Sequence, residues 1–344
     1  MTLLSPLSLA YEATVRLRAW CYSVRILRTT RLRAPVISVG NLTMGGTGKT
    51  PTTIALGKIL QDSGRRVSVL LRGYKGQHSR NPLVVSDGQQ ILAAAREAGD
   101  EALVIARGLP QAIVAVSKSR AAAGTWVEQQ FSPDVHLLDD GFQHLQLHRD
   151  LNLLLIDVTN PFGGGLPPSG RLREPLNAIQ RADALFLSRT ESGQDYQKLI
   201  AQVLAHKPLL PCFMVRQRLV SARRLNGSGD FSLATLPASG ALAFAGIANP
   251  SQFFQSVKKC GVCLRGCISF PDHHSYRLKD YQRLKREAAE FGVNTLITTE
   301  KDAEKLNSVS LAPLDVVAVR VAFEFNDLKG VVRLLESVLG ISAR

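Results

Sequence analysis

The chain has 344 residues, which allows two domains of ordinary size, and its 45% hydrophobic and 20% charged residues exclude a disordered chain. The formal net charge of +14 predicts an anionic partner, although charge does not distinguish nucleic acid, a nucleotide and an acidic membrane surface. Five cysteines, an odd and low number, argue against a disulfide framework and favour a reducing, cytoplasmic compartment.

Residues 1–30 predict an N-terminal helix that is both basic and apolar. Leucines and Trp20 alternate with arginines such as Arg16, Arg18 and Arg25, so no apolar run reaches the ~18–20 residues that a spanning helix needs. Central arginines argue against a span, and no signal-peptide cleavage pattern follows. Such a helix suits the surface of anionic lipid, or it packs on the protein with its arginines in water. The segment by itself leaves both open.

The first candidate ligand-binding motif is a glycine-rich segment between a strand pattern at 35–39 and a helical pattern that begins near Lys49. Gly48, Lys49 and Thr50 match the P-loop pattern, while Thr43 replaces its first glycine. Backbone N–H groups of such a loop wrap phosphates, the lysine reaches the β- and γ-phosphates, and the hydroxyl holds Mg²⁺. The residues predicted to bind the triphosphate are Thr43, Met44, Gly45, Gly46, Thr47, Gly48, Lys49 and Thr50.

Residues 31–212 predict a P-loop kinase domain built on a doubly wound, mostly parallel α/β sheet. Strand and helix patterns alternate along this part of the chain, which is typical of that architecture. Near-continuous apolar strands indicate a sheet that is covered on both faces. The strand patterns lie at 66–71, 112–116, 135–138, 151–158 and 184–188, with helical patterns at 90–98 and 119–130 among them.

Two acids, Asp139 and Asp140, end one of these buried strand patterns. In P-loop enzymes an aspartate at such a position assists Mg²⁺, directly or through water. Neighbouring side chains on a strand point to opposite sides, which predicts different roles for the two acids. Gln143 adds a polar group close behind, at the sheet edge where α/β proteins bind ligands. Solvated or helix-capping acids at a strand end are the plainer alternative.

Further polar residues lie just past helix and strand patterns. Asp100 and Glu101 follow a helical pattern, where an acid is positioned to deprotonate a substrate hydroxyl or simply occupies a helix-end turn. Arg72 follows a strand pattern, and Arg171 lies in a Pro/Gly-rich loop three residues before Glu174. An arginine in such a loop is suited to neutralise the charge of a transferring phosphoryl group.

Residues 213–344 predict a second, smaller α/β domain joined to the first by a two-stranded linker. His273 begins a pair of adjacent histidines, a pattern more typical of a surface pair than of metal ligands. Cys260, Cys263 and Cys267 supply three thiolates, whereas a structural zinc site needs four ligands. We expect these cysteines to be buried or incidental.

Together these motifs resemble the tetraacyldisaccharide 4'-kinase family, the lipid A 4'-kinases of Gram-negative bacteria. Thr43 fits the resemblance, because the family's loop has a small hydroxyl residue there. Lys75 and Ala102 stand where the family often has glycine and proline, and neither change removes a reacting group. The matching segments, in family order, are Val39-Gly-Asn-Leu-Thr-Met-Gly-Gly-Thr-Gly-Lys-Thr-Pro51, Arg72-Gly-Tyr74, Gly99-Asp-Glu101, Leu138-Asp-Asp-Gly-Phe-Gln-His144, Gly170-Arg-Leu-Arg-Glu-Pro175, Phe270-Pro-Asp-His273 and Thr299-Glu-Lys-Asp302.

The resemblance implies ATP- and Mg²⁺-dependent phosphorylation of the 4'-hydroxyl of tetraacyl glucosamine disaccharide 1-phosphate, giving lipid IVA in lipid A biosynthesis. It also implies a monomer at the cytoplasmic face of the bacterial inner membrane, held peripherally and without a nucleic-acid partner. A substrate with several acyl chains stays in the membrane, which favours the lipid-surface interpretation of residues 1–30.

The resemblance also assigns roles to single residues. Asp100 is expected to act as the base with the support of His273, which requires the second domain to close over the first. Lys49 and Arg171 are expected to neutralise phosphate charge. Mg²⁺ is expected to be handled by Thr50, Asp139, Asp140 and Glu174, and the further candidates are Glu101, Gln143 and Arg72.

A P-loop switch or partitioning ATPase that acts through a protein or nucleic-acid partner is the alternative. Partitioning ATPases carry a signature lysine early in the loop, where this chain has Met44. The basic residues are spread along the chain, and no aromatic-interleaved basic stripe stands out as a nucleic-acid surface. Both observations disfavour the alternative.

Overall fold

A computed structural model describes residues 5–73, 82–191, 193–225, 230–236, 240–306 and 311–340; Tyr74 and Lys75 of the motifs above lie outside them. The helices are α1 (Ser5–Ser23), α2 (Lys49–Asp62), α3 (Ala95–Ala98), α4 (Asp100–Gly108), α5 (Arg120–Phe131), α6 (Gln197–Leu204), α7 (Pro250–Lys259), α8 (Leu278–Glu290), α9 (Glu300–Ala303) and α10 (Leu328–Val338). The strands are β1 (Val36–Asn41), β2 (Val67–Leu71), β3 (Leu83–Asp87), β4 (Ile113–Val116), β5 (Val135–Asp139), β6 (Leu151–Asp157), β7 (Ala184–Ser188), β8 (Cys212–Arg224), β9 (Asp230–Phe231), β10 (Ala241–Ala245), β11 (Leu264–Ser269), β12 (Thr295–Thr299) and β13 (Asp315–Phe325).

The chain divides into two compact units, of which unit 1 comprises Met1–Gln217 and Phe323–Arg344 and unit 2 comprises Arg218–Ala322. The sequence pattern predicts that the last segment belongs to the smaller domain, whereas the structure groups it with unit 1. Met214 donates its N–H to the Asn326 side chain at 2.8 Å and accepts the Asn326 N–H at 3.1 Å. The Phe325 ring meets the Phe186 ring edge-on at 5.7 Å. These contacts attach the segment to unit 1. An alternating strand and helix pattern does not reveal such contacts.

Unit 1 is built on a mostly parallel sheet in the order β8-β7-β6-β1-β5-β2-β4-β3. The described strand pairs of this sheet are parallel except for β3, which pairs antiparallel with β4 at the edge. Strands β1, β2 and β4 to β7 are buried along their whole length. Helices cover both faces of such a sheet, so the predicted doubly wound α/β architecture is confirmed.

The order of the strands fixes where a ligand binds. Strand β1 lies between β5 and β6. The chain runs from β1 to β2, on the β5 side of β1, and from β5 it crosses to β6, on the other side. At such a switch point the connections diverge and leave a crevice outside the carboxyl ends of the strands. Val39 lies beside Asp139 and Asn41 beside Leu155. The segments that follow β1 and β5 therefore emerge side by side at this crevice.

One predicted element of unit 1 is partly wrong. The pattern at 90–98 predicts a helix, but only Ala95–Ala98 is helical. The Asp87 carboxylate accepts the N–H groups of Gln89 and Gln90 at 2.8 Å each. This local side-chain turn offers the backbone an alternative to the helix.

Unit 2 contains a smaller parallel sheet in the order β11-β10-β12-β13. Helix α7 buries Phe253, Phe254 and Val257 in one apolar cluster, and α8 buries Tyr281 and Leu284 in another. Its strands and helices alternate as the sequence predicts for a second α/β domain.

A close approach of two backbones connects β1 to the segment that follows β5. A Cβ atom on Gly40 would lie 2.6 Å from both the Cβ and the N of Phe142. The amide of Gly141 also donates to the Val39 carbonyl at 3.1 Å. Only glycine lets the two segments come this near.

Gly40→Ala is therefore expected to destabilise the protein by about 3 kcal/mol, because the contact atoms belong to a fixed backbone. Gly64→Ala is a matched control, since it has a left-handed φ of 76° and no atom within 4 Å of the added Cβ. That change should cost only about 1 kcal/mol. Urea denaturation of both variants measures the difference, and equal losses would contradict the steric explanation.

Candidate active site

The glycine-rich segment forms a loop between β1 and α2. Gly45 and Gly48 have φ values of 123° and 91°, which side chains with a Cβ rarely adopt. Gly48 occupies the cap of α2, and Lys49 is the first helical residue, as the sequence predicts. The N-terminus of a helix carries partial positive charge and free N–H groups, so the loop is arranged as an anion cradle.

The first half of this loop pairs with the Pro/Gly-rich segment that carries Arg171 and Arg173, which we call the arginine loop. Met44 donates its N–H to the carbonyl of Arg171 at 2.7 Å, and Arg173 donates its N–H to the carbonyl of Leu42 at 2.6 Å. A Cβ on Gly45 would lie 2.6 Å from an Nη atom of Arg171, so this guanidinium lies against the loop. The structure thus brings Arg171 to the phosphate loop.

Asp139 is buried at the end of β5 and is bound to α2. Its carboxylate accepts the Thr50 hydroxyl at 3.1 Å and the Thr53 hydroxyl at 2.9 Å. Burial, followed by the neighbouring negative charge of Glu101, raises the pKa of Asp139 to about 6, and the Lys49 ammonium only partly opposes this. Glu101 therefore lies close enough to influence the site electrostatically.

Asp140 has the opposite character. Its backbone is left-handed, with φ of 52°, and its carboxylate accepts both bonds from Nη1 of Arg173 at 2.8 Å, with Nζ of Lys49 at 3.5 Å. Burial alone would raise its pKa, but Lys49 and Arg173 together lower it to about 2. The two adjacent acids thus have pKa values shifted in opposite directions, and the prediction that their roles differ stays a prediction.

Polar side chains beside the two acids complete this part of the site. Gln143 donates its amide to the Asn41 carbonyl at 2.9 Å. Arg120 contacts the Asp140 carbonyl at 3.4 Å and the Nδ1 atom of His144 at 3.2 Å. Burial and the nearby Arg120 lower the pKa of His144 to about 3. Arg72 is exposed, and its charge acts on both Arg120 and His144.

Two arginines of this cluster, Arg120 and Arg173, are not among the residues predicted from the sequence. Arg120 begins α5 and offered no motif, although its place after a strand pattern was a usable signal. Arg173 was passed over in favour of Arg171. Residues two apart in an extended segment share a side, and the buried Leu172 between them points the other way. That alternation would have predicted both arginines at the site.

Glu174 has a different environment from the one predicted. It is buried, and its carboxylate accepts Nη2 of Arg181 at 2.7 Å. Among the described contacts, none brings Glu174 to Asp139 or Asp140.

The first residue of α4 is Asp100, which is 7% exposed and accepts the Glu101 N–H at 3.1 Å. It belongs to unit 1 with the phosphate loop. His273 belongs to unit 2, where it has a left-handed φ of 58°, and its Nε2 lies 3.0 Å from Nζ of Lys301. Its predicted support of Asp100 stays a prediction.

The residues near Thr50 fit Mg²⁺ by their chemistry. Magnesium prefers oxygen ligands and is usually held by one or two carboxylates together with water and substrate phosphates. Thr50 and Asp139 present such oxygens 3.1 Å apart, and Asp140 is the next residue. Within the described part of the chain, no three His, Cys, Asp or Glu side chains form a closed metal cage, and this holds for Cys260, Cys263 and Cys267 as well.

Comparison with known proteins identifies the family that the sequence motifs resemble, over nearly the whole chain. A family model described as "Tetraacyldisaccharide-1-P 4'-kinase" matches residues 1–340. The tetraacyldisaccharide 4'-kinase of Geobacter metallireducens is 41% identical over 322 residues, which cover 93% of each chain. That of Pelobacter propionicus is 41% identical over 307 residues, covering 89% of this chain and 83% of the relative. The crystal structure of LpxK from Aquifex aeolicus in complex with ATP superposes with a TM-score of 0.78 at 32% identity, covering 98% of both chains.

Replacing Asp139 by asparagine is expected to stabilise the ligand-free protein at neutral pH. The folded-state pKa of about 6 lies above the ordinary 3.8, so the folded protein favours the protonated carboxyl. The protein is therefore most stable with respect to this group below pH 3.8, and that stability is lost as the pH rises through 6. Asp139→Asn should therefore gain on the order of 2 kcal/mol at pH 7.5 and about half of that at pH 5.

Asp140→Asn is the matched control for the neighbouring carboxyl. Its pKa is lowered to about 2, so its contribution to stability is present above the ordinary 3.8 and is lost as the pH falls through 2. The asparagine variant should be destabilised at pH 7.5. Urea denaturation between pH 5 and 8 measures both, and a gain for Asp139→Asn that does not change with pH would contradict the assignment.

Proposed function

The chain belongs to the tetraacyldisaccharide 4'-kinase family, and from that premise we propose how its own residues divide the work. The activity is ATP-dependent phosphorylation of the 4'-hydroxyl of a tetraacyl disaccharide 1-phosphate, a step of lipid A biosynthesis. The observation that carries the residue assignments is the Thr50–Asp139 hydrogen bond, which joins the phosphate loop to the acidic end of β5. The alternative of a switch or partitioning ATPase has no support in the comparisons.

The phosphate end of the site is proposed to consist of the loop from Thr43 to Thr50 together with its charged neighbours. Thr50 and Asp139 would hold Mg²⁺, which neutralises phosphate charge when it is bound with ATP. Lys49 lies 3.4 Å from the Gly45 carbonyl and 3.5 Å from Asp140, so its ammonium is already inside the loop. Arg171, which lies against Gly45, would add positive charge where it develops on the transferring group.

Asp140 and the residues around it are proposed to position the others. The carboxylate of Asp140 stays charged and orients both Lys49 and Arg173. Gln143 fixes the Asn41 carbonyl at the start of the loop. Because Glu174 forms an ion pair with Arg181, we propose that it stabilises the arginine loop and does not coordinate Mg²⁺ directly. Arg72 and Glu101 remain candidates that act through charge.

The acceptor end of the site is proposed to centre on Asp100. A sugar hydroxyl is a poor nucleophile, so a positioned group must take its proton. Asp100 offers a nearly buried carboxylate in the same unit as the phosphate loop, at the N-terminus of α4. The family resemblance assigns the supporting role to His273, and a separate substitution at that histidine would test it.

Asp100→Asn is expected to lower kcat at least ~100-fold, which is the lower end of what general-base catalysis contributes. The KM for ATP should stay near the wild-type value, because Asp100 does not hold the phosphates. Asp62→Asn, at the exposed end of α2, is the control and should leave both constants unchanged. A lipid kinase assay with a tetraacyl disaccharide acceptor measures them, and a fully active Asp100→Asn enzyme would remove Asp100 from the mechanism.

Helix α1 is proposed to hold the enzyme at the membrane. At about 100° per residue, Leu9, Leu17 and Trp20 fall within about 80° of one another on the helix. Their exposed fractions are 64%, 60% and 54%. On the opposite side, the Tyr11 hydroxyl donates to the Arg173 carbonyl at 2.9 Å, and Arg18 donates to the Gln143 carbonyl at 3.3 Å. One face of α1 therefore contacts the segments that carry Arg173 and Gln143. The other face presents an apolar stripe, formed by Leu9, Leu17 and Trp20, that no described part of unit 1 covers.

The charge of this region suits an anionic lipid surface. Six arginines lie between residues 16 and 33, and polybasic segments are attracted to anionic headgroups. No helix among the described residues is long and apolar enough to cross a membrane. With the family resemblance, this charge leads us to propose peripheral binding at the cytoplasmic face of the bacterial inner membrane, and from the resemblance we propose a monomer that acts without nucleic acid.

Glutamate at Leu9, Leu17 and Trp20 together is expected to weaken binding to phosphatidylglycerol-containing vesicles at least ~10-fold, since burying one large apolar side chain contributes about 2 kcal/mol. The control replaces Leu278, which is 70% exposed on α8, by glutamate. Vesicle co-sedimentation measures binding. If the triple variant sediments with vesicles as the wild type does, α1 is not the membrane contact.

A further inference from the structure

Two consecutive carbonyl groups of the phosphate loop are bound by side chains at the end of β7. The Gly46 carbonyl accepts Nη2 of Arg189 at 2.6 Å. The Thr47 carbonyl accepts the hydroxyl of Ser188 at 2.8 Å. Neither donor belongs to the family motifs in the sequence.

These two bonds fix the direction of the loop amides. In a trans peptide the carbonyl of one residue and the N–H of the next point in opposite directions. With the Gly46 and Thr47 carbonyls turned toward β7, the N–H groups of Thr47 and Gly48 are turned away from it. In a P-loop these are the groups that must face the phosphates.

The arginine that makes the first bond is itself held firmly. Its Nη1 is paired with the Asp157 carboxylate, and the two side chains are only 13% and 9% exposed. The other carboxylate oxygen of Asp157 accepts the N–H and the hydroxyl of Thr159 at 2.9 and 2.7 Å. Arg189 also has a left-handed φ of 63°, uncommon for a residue with a side chain. The turn after β7 therefore places this guanidinium between β6 and the loop.

We propose that Arg189 is a positioning residue for ATP, which with Asp157 and Ser188 holds the Gly46 and Thr47 peptides so that two amides are presented to the phosphates. The inference rests on the proposed role of the loop and adds to it. An arginine suits the task because its planar guanidinium bonds a carboxylate and a carbonyl at the same time, which a lysine ammonium on a flexible stem does less well.

The test is the kinetic constants of Arg189→Met with each substrate. The KM for ATP is expected to rise about tenfold, the effect of losing one hydrogen bond to a charged group, while the KM for the acyl disaccharide stays unchanged. Arg189→Lys should give an intermediate rise, and Ser188→Ala about threefold. A purely structural role would instead lower the active fraction, which reduces kcat and leaves both KM values alone.

The matched control is Arg224→Met, which also loses an arginine–aspartate pair, that with Asp315 at 2.7 Å in unit 2. It should leave the KM for ATP at the wild-type value. If Arg189→Met does not fold, Ser188→Ala decides: a raised KM for ATP supports the proposal, and an unchanged one overturns it.

Lys49→Met separates this inference from the loop assignment beneath it. If Lys49→Met loses ATP binding while Arg189→Met keeps wild-type constants, only the role of Arg189 is wrong. If both variants bind ATP normally, the assignment of the loop to the triphosphate is wrong as well.

Discussion

The site depends on the hydrogen bonds that one buried carboxylate, at the end of β5, makes with helix α2. Asp139 accepts hydroxyls from both Thr50 and Thr53, and so it ties the first turn of α2 to the central sheet. Burying a carboxylate is unfavourable, as its raised pKa records. The ligand-free protein thus keeps a destabilised acid in place. A bound divalent cation would relieve that destabilisation, which joins the stability of the fold to the binding of its substrate.

The phosphate loop is held from two sides while its glycines leave the backbone free to curve. On one side Leu42 and Met44 pair with the arginine loop, and on the other Ser188 and Arg189 bind successive carbonyls. Both supports come from segments that end at the same sheet edge, because parallel strands deliver their carboxyl ends together. The loop is thus ordered by its neighbours as well as by its own glycines.

Helix α1 connects the membrane proposal to the chemistry. Tyr11 binds the carbonyl of Arg173, and Arg173 holds Asp140. The helix that we propose to contact lipid with one face therefore contacts the partner of Asp140 with the other. An acyl-chain substrate needs its sugar delivered near the phosphate loop, and this arrangement puts the proposed lipid-facing stripe and the candidate site on one unit.

The sequence by itself determined the fold class, the phosphate loop and the acidic strand end, because apolar periodicity and glycine placement are local properties of the chain. Adjacent acids on a strand predict two roles, and the structure gives the two carboxylates different partners. Only the tertiary structure decided that Glu174 binds Arg181, that residues 323–344 join unit 1, and that Arg120, Arg173 and Arg189 reach the site. An arginine side chain is long and its partner depends on the packing of distant segments, so its position in the chain does not state what it will bind.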